Sequence, residues 1–340
     1  MVSASTRSKS MIISKTPLRV SFVGGGTDLP DFCDEHGGAV VSSAVDKWIH
    51  IVVAPRFEGD VRVSYSKTEI VSTASEIQHE LVRESLRLTG LPRGLDVVTL
   101  ADVPTQGTGL GSSSAVTVGL LNALYAYQGV FRSPIELAEE ASQIEIDILG
   151  KPIGRQDQYA VARGGFNFIE FMPHGGGVRV EPIVCPPQTI ERLHRSLMLF
   201  YTGRQRAASD VLSGQRAAIV EGRATEALLG MRNLAYELRD TLGRGDVERV
   251  GPLLDRNWQL KRSLVSDLSD AQVDQWYQTA QEAGASGGKL LGAGAGGFLL
   301  IMAHPEHQAK VRTALGDLRE VSFHFAARGT QITLLERSAD

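Results

Sequence analysis

The residues able to do chemistry in this chain gather in a few stretches, the densest being Pro104 to Gly119, PTQGTGLGSSSAVTVG. Gly107, Gly109 and Gly111 alternate there, Leu110 separates the last two, and Ser112, Ser113 and Ser114 follow before an apolar helical pattern begins. Glycine allows backbone turns closed to other residues and close approach to a ligand, while the first turn of a helix presents unpaired N–H groups. Together they make a seat for phosphate, with serine hydroxyls able to hydrogen-bond an oxygen or meet Mg2+. No lysine follows, so this is not the common P-loop. A serine-capped turn that binds nothing is the plainer alternative. Three alternating glycines and three serines favour the phosphate seat.

Two carboxylates lie downstream. Glu145 borders the apolar stripe Leu137, Ala141, Ile144 and Ile148. It reads either as a charged rim residue or as a group held inward to meet a cation. The phosphate loop favours the second, because nucleotide phosphates arrive with Mg2+ and need an acidic or hydroxyl oxygen. Asp157, in IGRQDQYA, is a candidate to orient or deprotonate a hydroxyl. Arg155 beside it could bind an anionic substrate or pair with it. Upstream, Gly24, Gly25 and Gly26 end a hydrophobic strand and lead into Thr27 and Asp28, which suit a hydroxylated ligand or a capped turn. Arg204 and Arg206, in YTGRQR, could clamp a substrate phosphate or stand as exposed charges at a helix start. A second small-residue loop, Gly287 to Gly297 with Gly294 and Ala295 inside it, runs into Phe298–Ile301. It reads as tight packing or as part of a site shared between domains.

The elements that must position these residues follow from periodicity. Met11 to Val23 predicts a strand region broken by Pro17, with Leu18, Val20 and Phe22 packed and Arg19 on the opposite face. Glu76 to Leu88 predicts a helix stopped by Gly90, and Leu95 to Leu100 a strand that delivers the chain to the glycine loop. Ser133-Pro134-Ile135-Glu136 is a capping box opening a helix that Gly150 ends. The Pro173–Pro187 interruption divides the chain into domains 11–180 and 181–340. The second half reads as helices over Ala207–Leu242, Leu253–Leu268 and Ala271–Gly284, a last helix at Val311–Leu318, and strands at Leu197–Tyr201, Phe298–Ile301, Val321–Phe325 and Ile332–Leu335. That mixture predicts an α+β layer, with Trp258 and Trp276 filling interhelical core.

Bulk properties narrow the class. A chain of 340 residues with 42% hydrophobic content can build two cores. Its formal charge of −4 and the lack of an aromatic-basic pattern argue against a nucleic-acid partner. Cys33 and Cys185 are far apart without metal spacing, which suits a reducing cytosol, and no run has signal or membrane-span character. A cytoplasmic protein without a membrane partner is expected. His304 and His307 flank Pro305 without a third ligand and read as solvent-side residues. Met1 to Ser10 reads as a loose extension, and exposed apolar residues leave a homodimer open.

In order, PLRVSFVGGGTD, PTQGTGLGSSSAVTVG and KLLGAGAGGFLL resemble the galactokinase, homoserine kinase, mevalonate kinase and phosphomevalonate kinase (GHMP) superfamily from Met11 onward. The resemblance implies a two-domain α+β fold, with a ribosomal-protein-S5-like N-terminal domain and a ferredoxin-like C-terminal domain. It implies ATP over the loop spanning Pro104 to Ser114 and a sugar near the interdomain cleft. Ser113 and Glu145 would be Mg2+ ligands, and Asp157 the catalytic acid-base group. Arg19 would stabilise the sugar alkoxide or the transferring phosphoryl group. Asp28, with Gly25, Gly26 and Thr27, would contact sugar, and Gly292 to Gly297 would shape the cleft. FVGGGTDLPDF, IGRQDQYA and YTGRQRAASDVL are most similar to sugar-1-kinases acting on D-glycero-D-manno-heptose 7-phosphate, with fucokinase-type relatives. GGGTD in place of the GEHTD of galactokinase-like members points away from galactose. The implied reaction is ATP- and Mg2+-dependent phosphorylation of a sugar phosphate at its anomeric hydroxyl, and Arg155, Arg204 or Arg206 is expected on the acceptor's distal phosphate. A kinase for an unphosphorylated sugar such as L-fucose is the nearest alternative. A non-catalytic regulator that binds sugar and ATP is the other, and retention of Ser113, Glu145 and Asp157 together argues against it.

Overall fold

The computed structural model describes residues 11–104, 107–204, 208–264, 271–292 and 296–335. The first half runs β1 (Ile12–Val23), α1 (Pro30–His36), β2 (Gly38–Pro55), β3 (Val61–Ser64), β4 (Thr68–Val71), α2 (Glu80–Leu88), β5 (Leu95–Ala101), α3 (Ser112–Gln128), α4 (Pro134–Ser142), α5 (Gln156–Arg163), β6 (Phe166–Phe171) and β7 (Val178–Pro182). The second half runs α6 (Pro187–Ser196), β8 (Leu197–Tyr201), α7 (Ala208–Val220), α8 (Thr225–Gly243), α9 (Val250–Leu264), α10 (Ala271–Glu282), β9 (Ala285–Leu290), β10 (Phe298–Ala303), α11 (Pro305–Ala314), β11 (Arg319–Glu320) and β12 (Gln331–Leu335). This is a two-domain α+β architecture.

The larger sheet is ordered β12-β1-β2-β5-β3-β4, with β6 also on β2 and β7 on β6. Strand β2 is long enough to serve two neighbours: Gly38–Ser43 pairs with β6 and Ile49–Pro55 with β5, while its other edge pairs with β1. Pro17 does not break β1 as its sequence suggests. The register against β2 shifts between Pro17 and Leu18, and such an irregularity accommodates a residue without an N–H. Helix α3 lies across β1 and β2 and is buried along most of its length. The helix comes close because Gly119 has no side chain: a Cβ there would stand 2.9 Å from Thr16 Oγ1, and Ser14 Oγ donates to Gly119 O at 2.8 Å.

The smaller sheet is antiparallel, in the order β11-β8-β10-β9. Trp258 of α9 is fully buried against it with Met198, Phe200 and Tyr277, while Trp276 is half-buried at the edge of the same core. Val321–Phe325 is not a strand beyond one bridge from Phe325 to Val45; the paired residues are Arg319 and Glu320. The closing strand β12 returns to the larger sheet and pairs with β1, so the far end of the chain completes the first sheet. Among the described residues no helix is long and apolar enough to cross a membrane.

The two glycine-rich loops touch. A Cβ on Gly109 would stand 2.6 Å from Leu291 C and 2.9 Å from Gly292 N, and Gly297 packs equally tightly on Thr108. This crowding separates two glycines with almost the same backbone angle, Gly109 at φ +73° and Gly129 at φ +75°, since nothing lies within 4 Å of a Cβ on Gly129. Gly129→Ala should therefore cost only the left-handed penalty of about 1 kcal/mol. Gly109→Ala should cost roughly 1–3 kcal/mol more in urea unfolding, because backbone cannot move aside as a side chain can. Equal destabilisation of the two variants would show that the loop contact does not constrain the fold.

Candidate active site

Arg19 of β1 is 4% exposed. Sequence alternation places it opposite Leu18, Val20 and Phe22, but that face is covered too, by the glycine loop and α5. Its backbone N–H donates to Leu110 O at 3.0 Å. Its Nε and Nη2 donate to Asp157 Oδ1 and Oδ2 at 2.7 and 2.6 Å, and Nη1 donates to Gly109 O. One guanidinium thus binds a carboxylate in bidentate fashion and holds the loop through its third nitrogen. Gly111 is required beside it: at φ +75°, a Cβ would stand 3.1 Å from Arg19 Cγ and 3.3 Å from Asp157 Oδ2. Gly111 is also the N-cap of α3 and offers no side chain to its N–H groups, which leaves them for an anion.

Glu145 is fully buried, not at the rim of its helix. It sits in a π-helical stretch, Gln143–Ile148, that continues α4 beneath α3. Its Oε2 accepts from Ser114 Oγ at 3.1 Å, Gln158 Nε2 at 3.2 Å and Ser113 Oγ at 3.4 Å, and its Oε1 from Thr117 Oγ1 at 2.5 Å. Burial raises its pKa, while the Thr117 hydrogen bond opposes the shift. Among the described residues no three His, Cys, Asp or Glu groups gather as a metal site. A carboxylate ringed by hydroxyls, with Ser113 exposed at the edge, is a hard-oxygen set that fits Mg2+ sharing its remaining ligands with phosphate and water. Thr117 and Gln158 escaped the sequence reading, although Thr117 lies one helical turn beyond Ser113.

Asp28 is buried, and accepts from Gly26 N at 2.8 Å, Gln156 N at 3.1 Å and Gln156 Nε2 at 2.9 Å. It caps its turn and also faces the cavity that Arg19 and Asp157 line. Burial raises its pKa, the hydrogen bond from Gly26 opposes the shift, and the charge of Asp157 adds to it. Gly25 and Gly26 line the same cavity. Thr27 does not; its hydroxyl bridges Ala39 N and O and fixes the turn to β2.

Two lysines of the second half were not anticipated. Lys261 of α9 and Lys289 of β9 are both buried and line this cavity. Lys261 donates to Gly292 O, and Lys289 donates to Phe22 O at 3.1 Å. Burial brings Lys261 down to about 8 and Lys289 well below the usual lysine range. The available signal was position: Lys261 falls on the stripe of Leu254, Asn257, Trp258 and Leu264, all buried.

Arg155 stands apart. It pairs with Asp34 at 3.3 Å and lines a neighbouring cavity with Asp31, Lys151 and Arg216. Pro104 is exposed, and so is Arg204 at the end of β8, whose backbone carbonyl accepts from Gly297 N. Leu110 and Ser112 are buried in the loop. Arg206, Gly294 and Ala295 lie outside the described residues.

Residues 64–165 match the GHMP kinases N terminal domain and residues 238–318 the GHMP kinases C terminal domain. The chain is 29% identical over 331 residues to the D-glycero-alpha-D-manno-heptose 7-phosphate kinase of Campylobacter jejuni, covering 92% of this chain and 96% of that one. It is 28% identical to the bifunctional fucokinase/GDP-fucose pyrophosphorylase of Arabidopsis thaliana over 86% of this chain, which is 30% of that protein's length. Among solved structures, a D-glycero-D-manno-heptose 1-phosphate kinase from Bacteroides thetaiotaomicron superposes with a TM-score of 0.78 at 24% identity, covering 96% of this chain and 99% of that one. At that identity the likeness shows the fold alone.

Lys261 makes the site's electrostatics measurable. With a folded pKa near 8 and an ordinary value of 10.5, the unfolded chain holds this proton more tightly. Stability therefore rises with pH between those values and carries the full cost of the buried charge below them. From about pH 7.5 to about pH 9.5, the wild type should gain roughly 2 kcal/mol relative to Lys261→Met in urea unfolding. Parallel curves would mean that Lys261 is not a buried ammonium.

Proposed function

We propose, for a chain that belongs to the GHMP kinases and is an ATP-dependent phosphotransferase of that family, that its acceptor is D-glycero-alpha-D-manno-heptose 7-phosphate, phosphorylated at C1 to the 1,7-bisphosphate. The observation that carries this reading is the position of Asp157, held by Arg19 against the glycine loop and sharing one cavity with Asp28. A phosphate at the N-terminus of α3 and a sugar hydroxyl at Asp157 would then be neighbours.

The chain's own groups suffice to describe the step. Asp157, its side chain 24% exposed, orients the anomeric hydroxyl and accepts its proton as that oxygen attacks the γ-phosphorus and the bond to the departing ADP oxygen breaks. An anomeric hydroxyl is more acidic than an ordinary alcohol, so alignment counts as much as proton removal. Arg19 and the free N–H groups at Gly111 and the start of α3 offset charge on the transferring group. Asp28 and Gln156 present a carboxylate and an amide to ring hydroxyls. Mg2+ bound with ATP would neutralise phosphate oxygens, and Ser113 and Glu145 are the residues that would hold it. Residues 11–180 would carry the donor loop and the catalytic acid, and residues 181–340 the wall that closes over them.

The name of the Campylobacter jejuni relative supports a heptose that already carries a phosphate at C7. The likeness to a fucokinase supports L-fucose as a second reading. A panel of heptose 7-phosphate, heptose 1-phosphate and L-fucose with ATP and Mg2+ decides among them, with the phosphorylated carbon assigned by phosphorus NMR. C1 phosphorylation of the 7-phosphate is expected, and turnover of L-fucose alone would reject the heptose assignment. Asp157→Asn should lower kcat roughly 100- to 10,000-fold while ATP affinity stays within a few-fold, and near wild-type turnover would remove Asp157 from the reaction. Glu145→Gln should shift the Mg2+ concentration needed for half-maximal rate upward, and an unchanged Mg2+ response would argue against its ligand role.

A further inference from the structure

The reaction just described leaves two buried lysines without work. An ammonium carries three N–H donors, and Lys261 and Lys289 each have one hydrogen-bond acceptor among the described residues, a backbone carbonyl. Gln215 of α7 is 1% exposed and folded over Gly26, and its Nε2 has no acceptor. Ser21, next to the strand residues that carry Arg19, also leaves its hydroxyl unpartnered. All four side chains line the acceptor cavity. Buried donors without acceptors are costly, and their concentration in one place calls for an acceptor-rich occupant.

Charge points the same way. Arg19, Lys261 and Lys289 are set against Asp28 and Asp157, so the cavity's ionisable groups hold more positive than negative charge when all are ionised. Arg19 and Asp157 already neutralise each other at 2.6 Å, which leaves the two lysines facing Asp28 alone. A sugar hydroxyl would satisfy single donors. An anion accepts from both lysine nitrogens and the Gln215 amide together, and its charge would offset the burial that pushes both lysines towards their neutral forms.

We propose that Lys261 and Lys289, with Gln215, form an anion seat in the acceptor cavity that receives a phosphoryl group. The assignment rests on the kinase reading, which supplies two sources of that group: the phosphate already on the acceptor, or the γ-phosphoryl in transit. Lys261 binds Gly292 O, and Gly292 rests on Gly109 of the donor loop, so the seat adjoins the path between ATP and Asp157. Neither lysine is Arg155, Arg204 or Arg206, the residues from which a phosphate contact was expected on sequence grounds.

The test uses the full chain saturated with ADP, so that the donor loop is filled, and measures binding of inorganic phosphate by calorimetry. Lys261→Met and Lys289→Met replace a buried amine, which has no carboxylate within salt-bridge distance among the described residues, with an apolar chain of similar length, so the change removes a desolvation cost and breaks no ion pair. Each should weaken phosphate binding at least about tenfold. In the wild type, binding should weaken as pH rises through about 8, where Lys261 loses its proton in the presence of Asp28, Arg19, Asp157 and Lys289. Lys261→Arg should keep the affinity and lose that pH dependence, a response that a purely structural lysine would not produce. Kinetics then assign the source. A KM increase confined to the phosphorylated sugar identifies the acceptor's phosphate, whereas a kcat loss shared by phosphorylated and unphosphorylated sugars identifies the transferring group. Wild-type phosphate affinity in both methionine variants would overturn the seat. If heptose 7-phosphate proved not to be the substrate, the calorimetry would still decide the seat, because it uses no sugar.

Discussion

The structure depends on one buried guanidinium. Arg19 is taken out of water on β1, between β12 and β2 of the larger sheet, at a desolvation cost that a single ion pair does not reliably repay. What offsets it is geometry: two parallel bonds to Asp157 and a third to the carbonyl of Gly109, so that each of the three guanidinium nitrogens has an acceptor. The cost is accepted because those bonds fix three separate pieces of chain relative to one another: β1, the first turn of α5 and the phosphate loop. Truncating Arg19 would leave the Asp157 carboxylate unpaired, a loss of the order of 3–5 kcal/mol, and would also release the loop, which Arg19 holds through Gly109 O. Position is the principal product of this ion pair, and stability is secondary.

The same geometry explains why glycine recurs where the halves of the chain meet. Gly109 and Gly292 pack backbone on backbone, and Gly297 lies against Thr108, so both small-residue loops are consumed in each other's contact before any ligand arrives. Gly154 plays a comparable part beneath Asp28, where any Cβ would overlap the carboxylate. Atoms that must sit this close to a carboxylate or to another backbone cannot carry side chains. A cavity walled by backbone and by Arg19, Asp157 and Asp28 on one side then receives its lysines from the other, so the charge balance of the site is set only when the two domains are together.

Much of this was legible from local rules. The strand into the loop, the αL glycines, the capping box at Ser133 and the helix that begins at Ser112 each follow from a residue and its immediate neighbours. The pairing of Glu145 with Ser113 was instead what the family resemblance implied, since the two lie 32 residues apart. What was not legible depended on long-range contact. Alternation along β1 correctly separated Arg19 from Leu18, but it could not show that the second face is covered by α5 and by residues ninety positions away. The return of β12 to β1 spans most of the chain, and no local pattern announces it. Lys261 at least falls on the apolar stripe of its helix, whereas Lys289 follows two glycines with no such signal, and the packing of α9 and β9 turns both inward. Arg155, two residues before Asp157 and at the N-cap of α5, lines a different cavity because two positions along a helix turn a side chain by about 200°.

Glu145 shows why regular periodicity fails where function begins. Counted at 3.6 residues per turn from Leu137 and Ala141, it falls at the border of the apolar face, which is where a charged residue costs least. The helix does not keep that period. From Gln143 to Ile148 the chain widens into π-helical turns, and the extra residue per turn moves the following side chains around the axis, carrying Glu145 under the first turns of α3. A carboxylate placed there must be hydrogen-bonded on every side, and Ser113, Ser114, Thr117 and Gln158 meet that demand from two helices. Burial raises its pKa and so opposes the charged form, while the hydroxyls around it favour that form without cancelling the cost. The balance is one that a nearby hard cation would tip: the charge is penalised while the carboxylate is alone and favoured once a positive partner stands at the loop. A π-turn, itself a loss of helical hydrogen-bond geometry, is thus the device that carries a rim glutamate beneath the serines that open α3.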